Sequence, residues 1–206
     1  MDYHPQYKIN NIAVVYEDNW LMVVEKPSGL LTIPTPKKEA RTLTSILNLY
    51  PCHRLDRETS GLIIYAKGKS IQRKMMRAFK ERKIKKRYIA FVRGCPEKPK
   101  GKISYPLEGH QAITRYKVIK KYKNFAVVEV EPLTGRTNQI RIHFKKIGHP
   151  ILGETKYAFR RDFILKAKRL CLHAKELEFI HPVTGREISL TSDLPPYLKE
   201  FLIRHD

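Results

Sequence analysis

Apolar and polar positions recur along this chain with two periods, and the change from one to the other marks out its elements. Residues 12–16 and 20–25 are β-branched apolar runs separated by Glu17-Asp18-Asn19, a pattern that predicts a hairpin with a short polar turn. Lys26-Pro27-Ser28-Gly29 ends the second run, and residues 32–38, rich in Pro and Lys, read as a loop. Leu43, Ile46, Leu47 and Tyr50 then fall at i, i+3, i+4 and i+7, the stripe of a short helix with Thr42 as its N-cap and Pro51 as its stop. Residues 62–66 are an unbroken apolar run, which predicts a buried strand entered from a bend at Gly61.

Residues 69–83 return to the helical period. Ile71, Met75, Ala78 and Phe79 share one face, and the opposite face is densely basic, either solvated or in contact with phosphates. Residues 85–94 read as a strand entered from a basic turn, and residues 96–102, with Pro96, Pro99 and Gly101, as a basic loop. The runs 112–119 and 125–131 predict an antiparallel pair across a turn at 120–124. Residues 138–147 follow Thr137 as a cap and precede Gly148 and Pro150. Alternation of Ile140, Ile142 and Phe144 also allows a short strand, but the stop signals decide for a helix with Ile140, Phe144 and Ile147 buried. Arg141 lies off that stripe and can reach a carboxylate. Two strand-like runs within 170–180 and another at 188–190 flank a Pro-x-x-Gly turn. A last helix, beginning near Ser192 or Asp193, carries Leu194, Tyr197, Leu198, Phe201 and Leu202.

At 206 residues, without an internal linker or repeat, the chain is expected to form one domain. No apolar run approaches the ~20 residues that span a membrane, and the first residues lack the pattern of a signal peptide, so a cytoplasmic protein is expected. Forty-one Lys and Arg against twenty Asp and Glu give a formal charge of +21, which points to a polyanionic partner. Only residues 69–85 approach a basic membrane-binding helix, so nucleic acid is favoured over a membrane. Cys52, Cys95 and Cys171 are odd in number and widely spaced, which argues against a disulfide framework or a thiolate zinc site. The sequence has no phosphate-cradling glycine loop and no metal-site cluster, and its scattered histidines, His53 and His143 included, read as surface or core hydrogen-bonders.

The densest chemistry is His53-Arg54-Leu55-Asp56-Arg57-Glu58-Thr59-Ser60-Gly61. Arg54 and Arg57 on either side of Asp56 favour its ionised form, so Asp56 can serve as nucleophile or base, or simply join a surface ion pair. The whole string, continued by Leu62-Ile63-Ile64-Tyr65-Ala66-Lys67, closely resembles the catalytic motif of the RluA-type pseudouridine synthase family. Lys26-Pro27-Ser28-Gly29, Lys86-Arg87-Tyr88-Ile89-Ala90, Gly135-Arg136-Thr137-Asn138-Gln139-Ile140-Arg141-Ile142-His143 and the segments around 148–157 and 172–185 resemble further family motifs. The matches run from about residue 12 to 195. The resemblance implies that Asp56 is the catalytic carboxylate, that Arg141 pairs with it, and that Tyr88 stacks on the target base and is the candidate for C5 proton transfer. It also implies that Arg54 fills the vacated base stack, with Arg57, Lys86, Arg87 and Arg136 as further RNA contacts. Asn138 stands where the family usually has His, and Glu154 where Asp is usual, a swap read as minor.

That family has an α+β fold, a mixed, mostly antiparallel sheet with flanking helices and a central RNA-binding cleft. The expectation here is a short extension over 1–11 and a single catalytic domain over 12–206. Only about eleven residues precede the first match, too few for the RNA-binding S4 module of many relatives. The implied reaction breaks the N1–C1′ bond of a flipped-out uridine and reattaches the base through C5, with no metal and no cofactor. Asp56 either attacks C1′ or takes the 2′ proton, and the target is a uridine in tRNA or large-subunit rRNA bound by a monomer. A non-catalytic RNA-binding protein or chaperone on the same fold would keep the charge but could lose Asp56, Tyr88 or Arg141, and all three are present. A metal-dependent nucleic-acid hydrolase would need clustered carboxylates or a His pair.

Overall fold

The computed structural model describes residues 7–157, 165 and 167–205, and among these it contains eleven strands and four helices. They fall into two compact units, one comprising the residues up to Lys86 with Ala174–Asp193, the other Arg87–His173 with Leu194–Asp206. The fold is α+β, built largely on antiparallel strand pairs.

In the first unit β1 (Tyr7–Ile9), β2 (Ile12–Glu17) and β3 (Leu21–Lys26) form a meander. β2 and β3 are the predicted hairpin, and the Asp18 carboxylate fastens its turn by accepting the backbone N–H groups of Trp20 and Leu21 at 2.8 and 2.7 Å. β1 draws on residues read as an extension, pairing Tyr7 with Val14. β3 pairs with β5 (Ser60–Ala66), which is flanked in turn by β10 (Leu172–Ile180) and then β11 (Glu187–Thr191). All seven residues of β5 are buried, because both faces are covered, which explains its unbroken apolar run. Leu62, Ile64 and Ala66 join Leu21, Val23, Leu177 and Phe179 in the core.

Two sequence expectations need correction here. Gly61 lies inside β5 at φ +111°, not at a bend before it; an added Cβ would sit 2.2 Å from the Ala174 carbonyl oxygen, so the neighbouring strand leaves room only for hydrogen. The helix α1 (Leu43–Leu47) has the expected Thr42 cap, completed by a reciprocal bond with Ser45, but it ends at Asn48 in the left-handed region. Tyr50 therefore leaves the helical stripe and forms β4 (Tyr50–Pro51) against β5. Helix α2 (Lys69–Lys80) buries Met75 and packs Ile71, Ala78 and Phe79 against the core as predicted, with its basic face outward.

The second unit is a four-stranded array in the order β6 (Lys85–Arg93, from Arg87 on), β9 (Phe125–Pro132), β8 (Ile113–Lys121) and β7 (Lys100–Ser104). The β8–β9 pair was expected; β7 falls partly in the stretch read as a loop. Its alternation is masked because it is an edge strand with lysines on one face and Gly101 on the other, where the Tyr116 ring would lie 2.5 Å from a Cβ. Helix α3 (Gln139–Lys146) packs on this array through Phe144, whose ring is 5.7 Å from that of Tyr116. Ile140 and Phe144 are buried as expected, but Ile147, past the helix end, is exposed. Helix α4 (Pro196–Ile203) starts later than Ser192 because Pro196 holds Pro195 in extended geometry. Its Phe201 packs against Phe91 and Phe125.

Candidate active site

Asp56 sits in a loop between β4 and β5, half-exposed, with Leu55 before it buried and Arg54 and Arg57 beside it exposed. The loop is anchored through its main chain by the segment that follows β3. The Thr32 hydroxyl accepts the Leu55 N–H at 3.2 Å and donates to the Leu55 carbonyl at 3.0 Å. The Ser28 hydroxyl donates to the Glu58 carbonyl at 2.7 Å, and the Gly29 N–H to the Arg57 carbonyl at 2.8 Å.

The firmest anchor is one the sequence reading left without a role. Lys26, only 1% exposed, donates from Nζ to the carbonyls of Pro27, Leu30 and Arg57 at 2.9, 2.7 and 3.0 Å. Burial lowers its ammonium to about 7, a shift opposed by the negative charges of Asp56 and Glu58. Lys26 thus brings a positive charge under the Asp56 loop and ties it down at once. A sequence signal was available: a lysine closing an apolar strand directly before Pro is an unusual candidate for full burial.

His53 accepts the Ile64 N–H at Nε2, 3.1 Å away, and packs 4.5 Å from the Phe79 ring. Burial, with Lys86 nearby, holds its imidazole down at about 3, so it is a neutral structural acceptor rather than an acid or base. His143 is likewise a core residue, between the Thr114 hydroxyl at 2.9 Å and the Tyr105 carbonyl at 3.0 Å. Cys52 and Cys171 are buried free thiols, pushed up to about 12 by that burial.

Asp56 belongs to the first unit, and Tyr88 and Arg141 to the second. Tyr88 is buried in β6 opposite Val130. Arg141, 5% exposed on α3, is gripped by Glu154: Nε donates to Oε2 at 2.6 Å and Nη2 to Oε1 at 2.7 Å. Oε1 also accepts the N–H groups of Lys156 and Tyr157 at 2.8 and 3.2 Å. Burial alone would raise the Glu154 carboxyl, but the hydrogen bonds and charge of Arg141, with the two backbone donors, hold it below the usual range. The swap read as minor therefore supplies the carboxylate that orients this arginine.

Asn138 is the residue that departs from the expected His. It occupies the left-handed region at φ 53° and is itself the N-cap, in place of Thr137, with no side-chain capping bond. Its Oδ1 accepts from Arg141 Nη1 at 2.9 Å and its Nδ2 donates to the Tyr157 hydroxyl at 2.9 Å. The Tyr157 ring lies 5.3 Å from the guanidinium carbon. Asn suits both demands, since it tolerates φ > 0 and offers an acceptor and a donor together.

Of the RNA-contact candidates, Arg54, Arg57 and Arg136 are exposed, whereas Lys86 is half-buried with Nζ over the Phe79 ring at 5.9 Å and Arg87 is half-buried in β6. No group of three or more His, Cys, Asp or Glu among the described residues is arranged to hold a metal ion.

A family model described as RNA pseudouridylate synthase matches residues 20–146. The dual-specificity RNA pseudouridine synthase RluA of Pasteurella multocida (strain Pm70) is 38% identical over 207 residues, 90% of this chain and 93% of that protein. The ribosomal large subunit pseudouridine synthase C of Buchnera aphidicola subsp. Schizaphis graminum (strain Sg) is 36% identical over 228 residues, 96% of this chain and 72% of that protein. The fold matches a solved structure, Human RNA Pseudouridylate Synthase Domain Containing 4, with a TM-score of 0.78 at 24% identity, covering 93% of this chain and 92% of that one. With Asp56 in its anchored loop and the family model spanning both that loop and α3, the chain belongs to the RluA-type RNA pseudouridine synthases, enzymes that isomerise uridine in RNA to pseudouridine.

Proposed function

We propose that Asp56 is the carboxylate that opens the N1–C1′ bond of a flipped-out uridine in a tRNA loop or in large-subunit rRNA, and that Tyr88 and Arg141 serve the same reaction. The observation that carries this reading is the anchoring of the Asp56 loop by main-chain contacts and by the buried Lys26 ammonium. These contacts fix the loop without drawing on the Asp56 carboxylate.

The reaction conserves atoms. The N1–C1′ bond breaks, the freed uracil turns, C5 bonds to C1′, and the C5 proton leaves as N1 regains one. Either route at Asp56 serves: attack on C1′ gives a glycosyl ester, and removal of the 2′ proton gives a glycal. Tyr88 offers an aromatic face, worth ~1–3 kcal/mol per stacked base, and takes part in the C5 proton transfer. Arg54 occupies the space the base leaves. Arg57, Lys86, Arg87 and Arg136 add phosphate contacts. Extrusion costs a few kcal/mol, least for a loop nucleotide. The enzyme works as a monomer in the cytoplasm, a compartment that suits three free thiols.

Among the relatives, one is named a dual-specificity RNA pseudouridine synthase and another a ribosomal large subunit pseudouridine synthase. The test is tritium release from RNA labelled at uridine C5, with tRNA and rRNA pools assayed separately. The native protein releases tritium from at least one pool; Asp56→Ala releases none while its melting temperature stays within a few degrees. Release by Asp56→Ala at the native rate would remove Asp56 from the mechanism.

A further inference from the structure

The outward face of the β7–β8 hairpin carries cations directly opposite cations. In the register of this pair Lys100 faces Lys117 and Lys102 faces Arg115, and all four side chains are exposed. Directly opposed side chains on neighbouring strands share a face, so the four form a two-by-two block. Like charges opposed in this way destabilise a sheet.

The opposite face of the hairpin explains why the block cannot relax. Gly101 pairs with Tyr116, and the Tyr116 ring lies across the glycine on one side and against Phe144 of α3 on the other. This aromatic packing pins the register, and with it the cations. Acidic residues cover only one side: Glu129 and Glu131 on β9 oppose Lys117 and Arg115, with the Arg115–Glu131 pair as long as 3.8 Å. β7 is an edge strand, so among the described residues no acidic strand lies beyond Lys100 and Lys102. Lysines on an edge also deter strand addition, but that purpose does not require a second pair of cations opposite.

We propose that this block is an RNA-backbone surface, distinct from the residues that meet the target uridine. It takes the phosphates of a substrate segment outside the target loop, without regard to sequence. The proposal rests on the RNA-modifying reading above. Cations of one strand are spaced about 6–7 Å apart along it and neighbouring strands about 5 Å apart, a ladder suited to successive phosphates of an extended strand. Binding there releases counterions, so the block contributes salt-dependent affinity.

The test compares the native protein, the variant K100Q/K102Q/R115Q/K117Q, and a charge-matched control, K8Q/K123Q/K175Q/R186Q. Affinity for a full-length tRNA transcript and for a 25-nucleotide oligo(A) is measured between 50 and 300 mM salt, with tritium release from a short uridine-containing stem-loop as the readout of the site. The block variant should bind both long RNAs more weakly than the control, its log–log salt slope shallower by about 2–3. It should keep stem-loop turnover and melt at or above the native temperature, because opposed charges are gone. An unchanged slope, or a loss equal to the control's, would overturn the proposal. So would retained RNA affinity with loss of binding to anionic vesicles. Loss of stem-loop turnover in the native protein would instead strike at the proposed function.

Discussion

The Asp56 loop and the Arg141 end of α3 are held in opposite ways. Around Asp56 the anchors act on main-chain atoms: Thr32 on Leu55, Ser28 on Glu58, and Gly29 and Lys26 on Arg57. Around Arg141 they act on the side chain itself, with Glu154 on Nε and Nη2 and Asn138 on Nη1. The first arrangement fixes where a carboxylate is while its anchors leave the carboxylate oxygens alone. The second fixes the direction of a guanidinium by engaging most of its donors. A group that must react benefits from the former, and a group that must stay charged and oriented from the latter.

If this contrast is right, the two regions fail differently. The largest effect belongs to Glu154→Gln, which removes the carboxylate charge that grips a buried guanidinium on two nitrogens. The expected loss is ~3–5 kcal/mol, a fall in melting temperature on the order of 10 °C by calorimetry. Arg141→Met with Glu154→Leu should recover much of that stability and none of the activity, since a buried pair replaced by apolar groups leaves no orphan charge. A double variant as unstable as Glu154→Gln would show that packing, not charge, holds this region.

Lys26→Met comes next. Three carbonyls lose their donor, at a cost of about 2 kcal/mol, and kcat should drop while RNA affinity is kept, because the loop carrying Asp56 loosens and the basic surface does not change. The pH dependence sharpens the point. Folded Lys26 titrates at about 7, whereas an unfolded lysine titrates near ~10.4. Below pH 7 both states hold the proton; above it the folded protein sheds it first, so native stability rises with pH across this window relative to Lys26→Met. Denaturant titrations at several pH values measure the difference, and parallel curves would place the Lys26 ammonium in a more hydrated setting.

The smallest effect is that of Thr32→Val. It removes both hydroxyl contacts to Leu55 at about 1 kcal/mol, with turnover reduced only slightly because Lys26, Ser28 and Gly29 still hold the loop. A collapse of turnover in this variant, by the same tritium assay, would mean that Thr32 rather than Lys26 governs the loop.

Where periodicity coincides with burial, the elements were legible: the β2–β3 hairpin, β5, the Met75 face of α2, and the β8–β9 pair all follow the pattern of apolar positions. Thr42 was recognisable as a cap because capping is a local bond between neighbours in sequence. Tyr50 and β7 were misread for one reason: each is an edge element whose partner strand, not its own composition, makes it extended. Gly61 looked like a turn residue because nothing local announces that Ala174 lies against it. Asp56, Tyr88 and Arg141 were singled out as candidates through motif resemblance, whereas Lys26 and Glu154 were given no role, since their importance lies in partners 31 and 13 positions away.

By itself the sequence determined the class of fold, the polyanionic partner and the family, and it singled out Asp56 as the candidate carboxylate. These depend on composition, local periodicity and runs of adjacent residues, which the chain carries in one dimension. Only the tertiary structure decided that a lysine is buried beneath the Asp56 loop, that Glu154 clamps Arg141, that Asn138 bridges Arg141 to Tyr157, and that four cations face one another across β7 and β8. Each of these is a contact between residues that the chain holds apart. Their energies arise from desolvation and from cross-strand or cross-loop geometry, neither of which exists until the chain has folded.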